Sequence, residues 1–173
     1  MPAFPQSYQL LFEVFYLGLK WKLVTKTEIV KWADDIILAE AEPDYFFIEL
    51  AMSKNINEVI ALIGNRMNKS TDPIAGRVLL SLTFNQLNNT TISLQRACDI
   101  LDGIALLNTL TNWERGHFFQ FYDEIQELFR PDDIENLRLE ILTFLSVYKD
   151  KFNFDNYEEW GIISNQIATF FPN

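Results

Sequence analysis

The chain has 173 residues, 49% hydrophobic and 14% aromatic, so it can bury a sizeable core and does not have the composition of a disordered segment. Its 24 acidic and 14 basic side chains give a formal net charge of −10, which disfavours nucleic acid and anionic membrane surfaces as partners. Cys98 is the only cysteine, which excludes an internal disulfide and a multi-cysteine metal site.

Helical periodicity continues along the whole chain, and no long stretch alternates with the period of two that strands require. Short connections between the periodic segments predict antiparallel helical hairpins. The predicted fold is therefore all-α, with about nine helices stacked as hairpins in a compact bundle or a short α-solenoid-like array, and residues 1–173 form a single domain. In chain order, the predicted helices cover residues 6–22, 26–41, 44–53, 56–68, 73–88, 92–111, 113–129, 133–150 and 156–171.

The helix starts are marked by residues whose side chains can accept hydrogen bonds from the backbone N–H groups of the first turn. Thr25 with Glu28 has the spacing of a capping box. The same spacing with other capping residues occurs in three further pairs, and two acidic residues before prolines also predict caps. These are Asn55 with Glu58, Asp132 with Glu135, Asp155 with Glu158, and the dipeptides Asp72-Pro73 and Glu42-Pro43.

Two segments predict where the core lies. Residues 44–53 are apolar on nearly every side, as expected of a helix that other helices surround. In the helix predicted over residues 92–111, Cys98 falls on the apolar stripe, so we expect a small buried packing residue there and not a nucleophile.

The residues offer little for catalysis. His117 is the only histidine, and its Glu114-x-x-His117 spacing is that of one half of a di-iron site, which requires a second such motif. On the helix over 113–129, the predicted core face carries Phe118, Phe121, Tyr122, Ile125, Leu128 and Phe129. His117 lies on the flank, so we interpret it as a partly exposed interface residue. The sequence predicts no enzyme, no catalytic or metal site and no cofactor.

The strongest candidate for an interaction surface is acidic. Residues 1–86 contain 8 basic and 10 acidic side chains, whereas residues 87–173 contain 6 and 14, so the excess of negative charge lies in the second half. Such a surface is either simply solvated or a docking face for a basic protein. The candidate partner-binding residues are Asp123, Glu124, Glu127, Asp133 and Glu135.

A resemblance adds a more specific expectation. The segments LGLKW (17–21), TEIVKWAD (27–34), Glu42-Pro43 and FIELAMSKN (47–55) lie within residues 17–55, which cover about a quarter of the chain. They are similar to small uncharacterised bacterial all-helical proteins, some of which are grouped with immunity proteins of polymorphic toxin systems. This resemblance implies a cytoplasmic protein that occludes a cognate toxin, and it transfers no functional residue.

The sequence therefore predicts a non-catalytic bacterial protein-binding module, specifically a toxin-neutralising immunity protein that occludes a basic partner. The N-terminal segment lacks a basic region and a cleavage site, and no run of apolar residues could span a bilayer, so we expect a cytoplasmic location. Two alternatives stay open at this point. One is a helical scaffold that binds a peptide or self-associates through a groove, and the other is a small-molecule binder or enzyme with a pocket near His117.

Overall fold

The computed structural model describes residues 5–68 and 70–171, and these residues form nine α-helices and no strand, as the sequence predicts. No helix in this part of the chain is long and apolar enough to cross a membrane. The helices are α1 (Gln9–Trp21), α2 (Lys26–Ala39), α3 (Tyr45–Ala51), α4 (Ile56–Gly64), α5 (Ile74–Asn88), α6 (Leu94–Leu106), α7 (Asn112–Glu127), α8 (Pro131–Leu145) and α9 (Trp160–Ala168).

The helix starts near residues 25 and 55 confirm the predicted caps. The Glu28 N–H donates to Thr25 Oγ1 at 3.2 Å while the Thr25 N–H donates to Glu28 Oε2 at 2.7 Å, which completes the capping box of α2. At the start of α4, Asn55 Oδ1 accepts from the Glu58 N–H at 3.0 Å. These local hydrogen bonds satisfy backbone donors that a helix leaves unpaired, which explains why the sequence reveals them.

Other predicted caps are wrong, because a neighbouring residue supplies a better start. Helix α8 begins at Pro131, whose missing N–H costs nothing at the first position, so Asp132 lies inside the first turn. Helix α3 is capped by Asp44, which accepts from the Phe46 N–H at 2.9 Å, and not by Glu42. Helix α5 begins after Pro73 without a side-chain cap.

The predicted cap of the last helix, Asp155 with Glu158, is also wrong. Helix α9 begins only at Trp160, after a single 3-10 turn over Tyr157–Glu159. Asn153 and Asn156 each accept a hydrogen bond from the other's backbone N–H, at 2.8 and 3.0 Å. This reciprocal pair orders the connection before α9 and takes the place of a helix cap.

The packing of the chain groups it into two compact units, one up to Ser70 and one from Thr71 onward. The single domain over residues 1–173 stays a prediction, and each unit is described by itself. In the first unit, α2 and α3 pack as a hairpin and α1 packs against α4. A cluster of aromatic rings fills its core, with centroids 5.1 to 6.5 Å apart between neighbours in contact. The rings belong to Tyr8, Phe12, Phe15, Trp32, Phe46 and Phe47.

Helix α3 corrects the expectation that residues 44–53 are surrounded on all sides. Phe46, Phe47 and Leu50 are buried, but Tyr45 is 68% exposed and Met52, directly after the helix, is 76% exposed. With only seven residues, α3 buries one stripe against α1, α2 and α4 and presents the other to solvent. An apolar sequence therefore did not distinguish a buried helix from a helix with an apolar outer face.

In the second unit, α5 is the central helix, and α6, α8 and α9 all contact it. Helices α6 and α7 form an antiparallel hairpin joined by residues 107–111. Cys98 on α6 is fully buried, as predicted, and burial with the nearby charges of Asp99 and Glu124 raises the pKa of its thiol to about 12. Phe129, which the periodicity assigned to the core face, is 87% exposed because α7 ends at Glu127 and the chain turns there.

Candidate functional site

Two sets of carboxylates lie on α7, and they have opposite surroundings. The first is Glu114, in the first turn of the helix, which is completely buried. Arg77 on α5, itself 1% exposed, donates from Nε to Glu114 Oε1 at 3.1 Å and from Nη2 to Oε2 at 3.2 Å. This two-point arrangement is the geometry that best matches a guanidinium to a carboxylate.

The remaining polar atoms around this ion pair are also satisfied. The Tyr148 hydroxyl donates to Glu114 Oε1 at 2.7 Å, and both the backbone N–H and the hydroxyl of Thr111 donate to Oε2, at 2.9 and 2.8 Å. On the other side, Arg77 Nη1 donates to the carbonyl oxygen and to Oγ of Ser164, at 2.6 and 3.0 Å. We call these five residues, Arg77, Thr111, Glu114, Tyr148 and Ser164, the buried network.

The buried network determines the ionisation state of its members. Burial by itself raises the pKa of Glu114, but hydrogen bonds from Arg77 and its positive charge, with those from Thr111 and Tyr148, hold that pKa below its ordinary value. Burial and the Glu114 carboxylate raise the pKa of Tyr148 far above the usual range of a phenol. Glu114 is thus a carboxylate with five donors around it and no access to solvent. This arrangement links α5, α7, α9 and the turn at Tyr148, and it is suited to holding the fold and not to proton transfer.

His117 and Glu114 do not form a common site. The His117 ring is half-buried, with its centroid 4.2 Å from that of Trp113 and 4.9 Å from that of Phe144. Its Nδ1 lies 2.9 Å from the carbonyl oxygen of Trp113. Glu114 points instead into the buried network. No group of three or more potential metal ligands occurs among the described residues.

The second set of carboxylates lies toward the C-terminal end of α7. Helix α7 packs against α6, and the charges of Asp123 on α7 and Asp99 on α6 both act on Asp102 in the third turn of α6. Partial burial and then the negative charges of Asp123 and Asp99 raise the pKa of Asp102 above its ordinary value. We call the set Asp99, Asp102, Asp123, Glu124 and Glu127 the α6–α7 acidic face.

The α6–α7 acidic face has no basic side chain paired with it among the described residues. Within the part of the chain that the structure describes, no lysine or arginine lies within 4 Å of any of its carboxylates. Gln95 Nε2 donates a hydrogen bond to Asp99 Oδ1 of this face at 3.0 Å. The face therefore groups like charges that no cation of residues 5–68 and 70–171 pairs with.

The other two predicted partner-binding residues have cations beside them. Asp133 accepts from Arg130 Nε at 2.6 Å and from Nη2 at 2.9 Å, and Glu135 accepts from Arg138 Nη1 at 3.2 Å. Their charges are thus balanced locally on α8. The structure groups Asp123, Glu124 and Glu127 with Asp99 and Asp102. Asp133 and Glu135 differ from that group because each has an arginine paired with it.

Three features that sequence reasoning missed had usable signals. Thr111-x-x-Glu114 is a second capping box, which the structure confirms at the start of α7. Arg77 is a lone cation inside the apolar helix α5, a pattern that indicates a buried ion pair. The short connection 107–111 makes α6 antiparallel to α7, which places Asp99 and Asp102 beside Asp123.

No protein-family model, no curated protein and no solved structure matches this chain.

Proposed function

We propose that the chain is a protein-binding module and that the α6–α7 acidic face is where it docks a basic protein. The observation that supports this proposal is that, among the described residues, no lysine or arginine lies within 4 Å of these five carboxylates, whereas Asp133 and Glu135 on α8 are each paired with an arginine. A partner that supplies lysine or arginine side chains relieves the repulsion among these carboxylates. The free energy of that relief then contributes to binding.

The placement of these charges also argues against a purely structural role. Asp123, Glu124 and Glu127 lie in the last turns of α7, where the helix dipole is negative and disfavours carboxylates. Local helix stability therefore gives no reason for their presence. A strongly negative face does give fast encounter with a positively charged protein, because the field raises the association rate.

In its most specific form the proposal is a bacterial immunity protein that acts in the cytoplasm by occluding a basic toxin domain. The resemblance of segments 17–21, 27–34, 42–43 and 47–55 to proteins of that kind supports this form, and so does the net charge of −10. The binding role and the immunity role are separable. A basic partner without toxicity leaves the first in place and removes the second.

The experiment compares three versions of the tagged chain as baits in cells of the source organism. They are the wild type, the variant Asp102→Asn/Asp123→Asn/Glu127→Gln, and the control variant Asp155→Asn/Glu158→Gln/Glu159→Gln. Both variants lose three negative charges, so their change in net charge is equal. The control residues are exposed and lie in the same unit. Any captured protein is purified, and its dissociation constant for each bait is measured by titration calorimetry at two salt concentrations.

We expect a basic protein that binds the wild type and the control equally. Loss of three interfacial charges should weaken its binding to the first variant by about a hundredfold or more and should flatten the salt dependence. Equal affinity for all three baits contradicts the proposal. For the immunity role, expression of the captured protein alone should stop growth, and co-expression of the wild-type chain should restore it.

A further inference from the structure

Helix α3 has an apolar outer face that the described part of its unit leaves uncovered. Tyr45, Glu49 and Met52 follow one another at the i, i+4, i+7 spacing and are all exposed. Together with Lys54 and the facing side of α4, they line an open cleft of about 650 Å³. We call Tyr45, Glu49, Met52 and Lys54 the α3 face.

Large apolar side chains grouped in this way indicate a protein contact. Tyr45 and Met52 keep 68% and 76% of their surface in solvent, and both residue types are enriched in the cores of protein interfaces. The cleft is open and rimmed by charges, so it offers a docking surface and not an enclosed ligand site. A partner is therefore expected, and the charges of the α3 face identify which partner fits.

The two charges of the α3 face have opposite signs, and neither is neutralised within the described residues. In the part of the chain that the structure describes, no lysine or arginine nitrogen lies within 4 Å of the Glu49 carboxylate, and no carboxylate lies within 4 Å of Lys54 Nζ. The neighbouring Glu58 does not change this, because its Oε2 accepts from the Lys54 backbone N–H at 2.7 Å and its Oε1 from Asn55 Nδ2 at 3.1 Å. Glu49 and Lys54 are thus free to pair with another molecule.

We infer that the α3 face binds a second copy of this chain across a two-fold axis near Met52. In such an interface, if residue i of one copy contacts residue j of the other, then j of the first contacts i of the second. Glu49, Met52 and Lys54 line the same cleft, so a two-fold axis near Met52 can bring Glu49 of each copy to Lys54 of the other. One self-complementary arrangement then forms two ion pairs and covers the apolar side chains of both copies.

The charge of the first unit is compatible with self-association. Residues 1–70 contain 7 basic and 9 acidic side chains, whereas residues 71–173 contain 7 and 15. The α3 face therefore belongs to the nearly neutral unit and not to the strongly acidic one. At physiological ionic strength the screening length is about 8 Å, so charges far from the contact contribute little repulsion.

A charge-swap series followed by sedimentation velocity tests this inference. The series contains the wild type, Glu49→Lys, Lys54→Glu, the double swap Glu49→Lys/Lys54→Glu, and the control Asp34→Lys, an exposed position on α2. Each single swap creates two like-charge contacts in place of two ion pairs, so we expect the dissociation constant of the dimer to rise about tenfold or more. The double swap reverses both charges and should restore it.

The expected result is a dimeric wild type, control and double swap, with both single swaps shifted toward monomer. Circular dichroism of each variant checks that the helices are unchanged. A wild type that stays monomeric up to its solubility limit overturns the inference. A dimer that tolerates both single swaps, or a double swap that stays monomeric, overturns it as well.

Discussion

The two ends of α7 carry the same kind of charge under opposite conditions. At the first turn, Glu114 is buried, paired with Arg77 and surrounded by further donors. In the last turns, Asp123 and Glu127 are exposed, lie near other carboxylates and have no cation within 4 Å in the described part of the chain. One helix thus contains a carboxylate that stabilises the fold and others that contribute only repulsion to it.

The difference shows how to separate structural charge from functional charge. A buried carboxylate is kept only if the groups around it compensate for the loss of water, so removing one partner is costly. An exposed carboxylate among like charges adds repulsion to the folded state and makes no contact that offsets it. The comparison therefore predicts opposite responses to mutation at the two ends of α7.

The largest effect is expected from Arg77→Met. This change keeps a similar length but leaves Glu114 buried without its cation, so we expect a loss of about 3–5 kcal/mol in the free energy of unfolding. Urea denaturation followed by circular dichroism measures it. Arg130→Met, which breaks the exposed pair with Asp133, is the matched control and should leave the stability unchanged. Similar results for the two variants would show that the buried network does not hold the fold.

Tyr148→Phe should have the next largest effect. It removes only the hydroxyl that donates to Glu114 Oε1 at 2.7 Å and keeps the buried ring. A hydrogen bond to a charged group contributes about 1.5–3 kcal/mol, and the same urea experiment measures the loss. Tyr122→Phe, a half-buried tyrosine on α7, controls for the loss of a hydroxyl as such. A Tyr148→Phe protein as stable as the wild type would show that this hydrogen bond does not stabilise the fold.

Glu114 and Asp102 should change the free energy of unfolding with pH in opposite directions. The folded-state pKa of Glu114 lies below its ordinary value of 4.5, so its contribution is complete above that value and is lost as pH falls through the lowered pKa. The pKa of Asp102 lies above its ordinary value of 3.8, so its charge destabilises the folded state as pH rises through that range. Urea midpoints measured from about pH 3 to about pH 7 on the wild type, Arg77→Met and Asp102→Asn separate the two contributions. The loss of stability at acid pH should be smaller in Arg77→Met than in the wild type. If the urea midpoints of both variants varied with pH as those of the wild type do, the roles given to Glu114 and Asp102 would be contradicted.

The smallest expected effect is a gain. Asp102→Asn removes one of the mutually repelling charges, so we expect stability at neutral pH to rise by at most about 0.5 kcal/mol. Added salt should reduce the difference from the wild type, because screening weakens the same repulsion. A protein that is less stable after this change would mean that Asp102 has a structural partner.

Much of the fold could be predicted because its signals are local. Helix periodicity gave nine helices within a few residues of those observed, and Thr25 with Glu28 and Asn55 with Glu58 are caps in both. Local reasoning failed where two starts competed, as at Asp132 and Pro131. It also failed at α3, since the apolar sequence at 44–53 does not tell whether Tyr45 and Met52 find a neighbour.

The candidate site could be predicted only in part because its pairings are distant in sequence. Asp123, Glu124 and Glu127 were identified from charge alone, but their grouping with Asp99 and Asp102 depends on how α6 packs against α7. The Arg77–Glu114 pair joins residues 37 positions apart, which no local pattern specifies.

The most direct test is the free energy of unfolding of the variant Asp102→Asn/Asp123→Asn/Glu127→Gln, measured by urea denaturation at low ionic strength. If the α6–α7 acidic face serves a partner and not the fold, this variant should be at least as stable as the wild type. It should also be at least as stable as the control variant Asp155→Asn/Glu158→Gln/Glu159→Gln. A loss of stability comparable to that expected of Tyr148→Phe would contradict the account, because these carboxylates would then be part of what holds the protein together.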